Sequence, residues 1–195
     1  MPPPSEPEAF CPASPQHWRE WLHAHHATKQ AVWLVYYKKA ANQPSLTWSQ
    51  AVDEALCFGW IDSQAKPIDA EKYQQYFTRR KPTSGWSKVN KEKVARLIAE
   101  GRMTEAGLAS IARAQQNGSW VLLDEVEALL LPADLAQALQ HNPPAQAYFS
   151  SLSKSTKRNM LQWLALAKQP VTRQRRLLEI VEMAAQQLKP KPFRG

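Results

Sequence analysis

The richest chemistry in this sequence lies where cations alternate with aromatic rings. Arg79, Arg80, Lys81, Lys88, Lys91, Lys93 and Arg96 stand among Tyr76, Phe77 and Trp86. Such interleaving suits an anionic partner, with phosphates held by the cations and bases or sugar rings laid on the aromatic faces. Just upstream, Cys57-Phe-Gly-Trp-Ile-Asp62 supplies Trp60 as a stacking ring and Asp62 as an acid or ligand contact. The same block also reads as structure. Gly59 then turns a helix into a strand, Phe58 and Trp60 enter the core, and Asp62 bonds backbone amides. The candidate ligand-binding set is therefore Trp60, Asp62, Arg79, Arg80, Lys81, Trp86, Lys88 and Lys91. Its expected occupant is an anionic ligand or a protein partner, with weak nucleic-acid contact as a further use.

Other reactive side chains carry less. Cys57 has no histidine nearby in sequence to act as its base, and it reads as a buried inert thiol. His17, His23, His25 and His26 lack a Cys, Asp or Glu partner at ligand spacing. They read as a solvated helix end, and no metal site is expected. Nothing matches a P-loop, a dinucleotide fingerprint, a GxSxG elbow or a zinc-binding HExxH helix, so no cofactor is expected. Residues 88–116 have the outline of a helix-turn-helix, yet the stretch 105–116 carries one arginine and no other base. Three readings stay open: a non-enzymatic binding protein, a nucleic-acid-binding module using residues 79–96, and an enzyme of unknown class centred on Asp62.

The elements that must position these residues are legible in outline. Ser14 caps a helix with Pro15 at its first position and Trp18, Trp21 and Leu22 on one face. Residues 31–37 form an unbroken apolar run rich in β-branched and aromatic residues, which predicts a strand covered on both faces. Thr47 and Gln50 fit a capping box for a helix to about Cys57, with Ala51, Ala55 and Phe58, or Val52 and Leu56, on its buried side. Residues 60–64 and 73–78 read as an antiparallel pair. Beyond Arg80 the pattern is helical. Segments 88–100, 105–116, 133–140, 144–150, 154–168 and 172–188 are expected, the first with a stripe of Val94, Leu97 and Ile98 and an outer Glu92–Arg96 pair. The fold class is α+β, with a small antiparallel sheet and helices in the N-terminal half and a helical bundle in the C-terminal half. Expected divisions are a loose tail over 1–13, an α+β part over 14–82 and a helical part over 83–195, packed as one unit.

Composition bounds the answer. The chain has 195 residues, 44% hydrophobic and 22% charged, and net charge +8. Those values exclude a disordered polyelectrolyte or a collagen-like repeat. No apolar run approaches the roughly 20 residues of a transmembrane helix. The N-terminus has neither a basic nor an apolar leader region, and two cysteines make no disulfide framework, so a reducing cytoplasm is expected. The charge is unevenly placed: residues 66–102 carry +6, residues 120–152 carry −4 and residues 153–195 carry +8. Arg173, Arg175 and Arg176 crowd a helix start, where the dipole disfavours cations, and acids from 124–134 are expected to neutralise them.

Several blocks together resemble the YdeI/OmpD-associated, or bacteriocin-protection, family. They are Ala55–Ser63, Phe77–Pro82, Trp86–Lys91, Leu97–Thr104, Gln115–Trp120 and Tyr148–Ser153, and the likeness spans roughly residues 14–192. Arg79 departs from the proline expected in many relatives. The resemblance implies a role in tolerance to antimicrobial peptides or envelope stress, with the porin association genetic or indirect. It implies no reaction and no cofactor.

Overall fold

The computed structural model describes residues 7–194. These fall into two compact units. The first takes the chain up to Ser84 and then Val89–Ser119; the second takes Gly85–Lys88 and the chain from Trp120 onward. Residues 89–119, expected with the helical part beginning at 83, thus group with the sheet-bearing unit.

The first unit is built as its local signals dictate. Helix α1 (Pro15–His25) begins where the Ser14 hydroxyl accepts the His17 N–H at 3.2 Å. Helix α2 (Trp48–Cys57) carries a complete capping box: Thr47 Oγ1 accepts the Gln50 N–H at 3.2 Å and Gln50 Oε1 accepts the Thr47 N–H at 2.8 Å. Every residue from Ala51 to Cys57 is buried, so both apolar faces read from the sequence are core faces.

Four strands form one sheet in the order β1-β2-β4-β3. Strands β2 (Ala31–Tyr37), β3 (Trp60–Pro67) and β4 (Lys72–Arg79) pair antiparallel, with a register shift between Asp62 and Ala65. Strand β1 (Ala9–Phe10) lies parallel to β2. This corrects the loose tail read over residues 1–13, of which Met1–Glu6 lie outside the described residues. The cause is Phe10, whose ring stacks on Trp21 at 5.7 Å and meets His17 edge-on at 5.0 Å. Those contacts draw the segment along the outer edge of β2 and cover it.

Register puts Val32, Leu34, Tyr36, Trp60, Gln75 and Phe77 on the inner sheet face, and all six are buried. Helices α1 and α2 cover that face. Trp18 meets Phe77 at 5.5 Å, Trp21 meets Trp60 at 5.9 Å, and the Trp18 indole donates to the Ala51 carbonyl at 3.1 Å. Fully burying each such side chain contributes about 1.5–3 kcal/mol before entropy is charged against it.

Helix α3 (Lys88–Ala99), from Val89 onward, and helix α4 (Glu105–Gln116) complete this unit. Val94 and Leu97 of α3 are buried, but Ile98 is 49% exposed, so the apolar stripe is narrower than expected. Thr104 caps α4 and donates its hydroxyl to the Cys57 carbonyl at 2.6 Å, tying α4 to the end of α2.

Two adjacent carboxylates on α2 organise most of the nearby cations. Asp53 meets Lys93 at 2.6 Å and Arg96 at 2.5 Å, while Glu54 meets Arg19 at 2.7 Å and Arg102 at 2.5 Å. Glu100 bridges the two groups through Arg96 and Arg102 at 2.9 and 3.1 Å. Arg96 thus pairs with Asp53 and Glu100, and Lys93 and Arg96 serve the fold.

The second unit holds helices α5 (Asp124–Glu127), α6 (Ala133–Gln140), α7 (Pro143–Ser151), α8 (Lys154–Ala165) and α9 (Pro170–Ala185). Their core includes Leu135, Leu139, Phe149, Met160, Leu164 and Ile180. Arg173 meets Asp134 at 2.7 Å, as the charge pattern predicts, and Arg176 lies over the Trp163 ring at 4.9 Å. No helix among the described residues is long and apolar enough to cross a membrane.

Candidate anion-binding site

The end of α2 and the start of β3 meet at Gly59, and the site is built around that turn. Gly59 has φ +72°, the left-handed region where a side chain is strained. A Cβ there would also stand 3.1 Å from the Ala106 carbonyl oxygen and 3.2 Å from Ser110 Cβ. Glycine therefore lets α4 approach the turn closely.

Beside the turn lies a cavity of about 250 Å³, walled by Phe58, Gly59 and Trp60 and by Ala106 and Ala109 of α4. Arg79 and Arg80 enter from the end of β4, Arg113 from α4, and His26 and Ala27 from the end of α1. Ala106, Ala109 and Arg113 follow i, i+3, i+7 spacing, so they share one helix face. The two alanines leave the space and the arginine reaches across its edge.

Each cation is held differently. Arg79 donates Nε to the Lys29 carbonyl at 2.9 Å and Nη2 to the Ala27 carbonyl, which clamps the loop after α1. The Trp60 indole donates to the His26 carbonyl at 3.3 Å and fixes the same loop from the core side. Arg80 is anchored by its backbone N–H on the Gly59 carbonyl at 2.9 Å. Burial pulls its guanidinium down to about 10, against the opposing pull of Asp62, so it stays charged at neutral pH. Arg113 is exposed on α4, and its guanidinium makes no hydrogen bond or ion pair with the described residues.

No acidic residue lines this cavity, while three arginines and one histidine do. An oxyanion in such a half-enclosed space takes paired, charge-assisted hydrogen bonds from guanidinium groups. The imidazole of His26 has Nδ1 on the Leu22 carbonyl at 2.9 Å, leaving Nε2 as its other polar atom.

Of the residues singled out from sequence, Trp60, Arg79 and Arg80 converge here. Trp60 is 0% exposed and packs edge-on against Trp21, so it walls the cavity and presents no free stacking face. Asp62 does not line the cavity. Its Oδ2 accepts the Trp48 indole N–H at 2.8 Å and the Gln75 amide at 3.0 Å, side chains in place of the expected backbone amides. Lys81 is exposed in the loop after β4, and Lys91 is half-buried on α3. Trp86 and Lys88 belong to the second unit, where the Trp86 ring lies 5.0 Å from Trp120 and Lys88 donates its N–H to Glu127.

Sequence reasoning missed Arg113 and His26. The signal for Arg113 was present: a lone cation one helical turn beyond two alanines, on a helix otherwise poor in bases. His26 carried no such signal, because only the tertiary loop brings it to the cavity. Cys57 is buried as read, and burial pushes its thiol up, so it stays protonated at neutral pH.

Residues 10–110 match a domain of unknown function, DUF8412. Residues 128–187 match the family described as Bacteriocin-protection, YdeI or OmpD-Associated, a narrower span than the likeness read over 14–192, and of the blocks that carried it Tyr148–Ser153 lies inside the match. The first span contains every wall of the cavity except Arg113. No curated protein and no solved structure matches the chain.

Proposed function

We propose, for a chain that belongs to the DUF8412 family and whose C-terminal part has bacteriocin-protection kinship, a non-catalytic role as a binding protein that captures a small anion between Arg79, Arg80 and Arg113. One observation carries this reading: three arginines from two separate elements line a single cavity with no acidic residue among its walls. The kinship of residues 128–187 supports placing that capture in tolerance to antimicrobial peptides or envelope stress. Two free cysteines suit a reducing cytoplasm as its compartment.

The competing readings draw less support. Lys93 and Arg96 of the basic segment meet Asp53, which weakens a nucleic-acid interface built on residues 79–96. Asp62 is engaged by Trp48 and Gln75, which weakens an enzyme centred on it.

Calorimetric titration with inorganic phosphate and with glycerol phosphate tests the proposal. Saturable binding is expected in the parent chain, and Arg113→Gln is expected to weaken it about tenfold while leaving the melting temperature within a degree or two. Charge-assisted hydrogen bonds of about 1.5–3 kcal/mol set that scale. Equal binding by Arg113→Gln, or no binding of either anion, would overturn the assignment.

A further inference from the structure

We infer a second binding surface on the outer face of the sheet, and the chemistry it fits is single-stranded RNA. The observation behind it is separate from the cavity. Register places Trp33 and Tyr37 of β2, Lys72, Gln74 and Tyr76 of β4 and Lys66 of β3 on the face opposite the core. The Trp33 and Tyr76 rings lie 4.7 Å apart, and all three rings on this face are half-exposed. Lys66 Nζ sits 4.9 Å above the Trp33 ring and Lys72 Nζ 5.3 Å above the Tyr37 ring.

Charge decides the kind of partner. The three strands β2, β3 and β4 contain one carboxylate, Asp62, and it belongs to the inner face. The outer face thus combines rings with cations and no acid. Unpaired bases stack on aromatic side chains of a sheet while lysines hold the phosphates, and both halves of that chemistry are here. A duplex does not fit, because its bases are already stacked on each other. Gln74 and Thr78 add uncharged donors and acceptors on the same face, suited to the 2′-hydroxyls that DNA lacks. Each lysine is a mobile cover: on binding, its ammonium leaves the ring for a phosphate and a base takes its place.

Fluorescence anisotropy with labelled oligouridine, matching oligothymidine and an RNA duplex tests this, starting at about 50 mM salt, where phosphate contacts are strong. Oligouridine is expected to bind, more weakly as salt rises, and more tightly than either control. Trp33→Ala is expected to lose about tenfold in affinity, the lower range for one stacked base. Lys66→Glu alters an exposed side chain, keeps the sheet paired and is expected to weaken capture with an unchanged melting curve. No capture at low salt, equal capture of DNA or duplex, or an unaffected Lys66→Glu variant would each overturn the inference. Arg113→Glu separates the two sites: RNA capture lost in that variant belongs to the cavity and sinks the sheet-face assignment.

Discussion

Gly59 and Ala106 approach so closely that a methyl group on the glycine would stand 3.1 Å from the alanine carbonyl oxygen. That contact, together with Gly107, where a Cβ would collide with the Cys57 carbonyl oxygen, keeps the α2–β3 turn close to the helix bearing Arg113. Gly59→Ala therefore acts twice, through the positive φ and through the collision. A loss of about 2–4 kcal/mol in unfolding free energy is expected from left-handed strain and overpacking together. Denaturant titration measures it, and a change under about 0.5 kcal/mol would show that α4 simply moves aside.

Asp53 is the second lever. Its carboxylate and the Lys93 side chain are 12% and 13% exposed, and removing the acid takes the ionic partner from Lys93, which keeps the Ser49 oxygens, and from Arg96. Asp53→Ala is expected to cost about 3–5 kcal/mol, the range for breaking a buried pair. Adding Lys93→Met should restore part of that loss, read by a double-mutant cycle in urea. Strictly additive losses would contradict a coupled pair.

Acid lability follows from two carboxyls held below the usual carboxylate range. Glu100 is held there foremost by Arg96 and then by Arg102, and Asp69 by the backbone N–H groups of Glu71 and Lys72. A carboxyl whose folded pKa is depressed adds stability above its unfolded pKa, and that stability is lost as pH falls through the folded value. Melting temperature should hold from about pH 8 to 5 and decline below about pH 4, near the unfolded values of 3.9 and 4.3. Glu100→Gln should make the decline shallower. A profile parallel to the parent's would refute a contribution from Glu100.

The two thiols should separate kinetically. Desolvation pushes both thiols up, but Cys11 is exposed whereas Cys57 is buried. An aromatic disulfide reagent at neutral pH is expected to label one thiol promptly and the second only on unfolding. Two fast equivalents in the native protein would contradict the packing at the end of α2.

Local grammar made much of the fold readable. Ser14, Thr47 with Gln50, and Thr104 announce helix starts through bonds spanning three residues, and the structure contains each of them. The α+β class and the β3–β4 pair follow from patterns of similar range. Long-range pairing was invisible. Arg19 finds Glu54 at 35 positions' separation and Arg102 finds it at 48, and nothing in the spacing of those residues foretells either. Strand β1 escaped notice because two residues among prolines show no alternation. At the candidate site, Trp60, Arg79 and Arg80 were legible through residue type, while Arg113 and His26 depend on where α4 and the loop after α1 come to rest.

The path of the backbone bears on how this protein can be taken apart. It leaves the first unit after Ser84, contributes Gly85–Lys88 to the second, and returns at Val89 before crossing again at Trp120. No single scission yields both halves intact: a stop after Ser119 deprives Trp86 of Trp120, and a start at Trp120 omits the tetrapeptide altogether. Dissection by recombinant fragments thus requires circular permutation or a grafted linker in place of residues 85–88, and ordinary truncations will report on a severed loop as much as on either half.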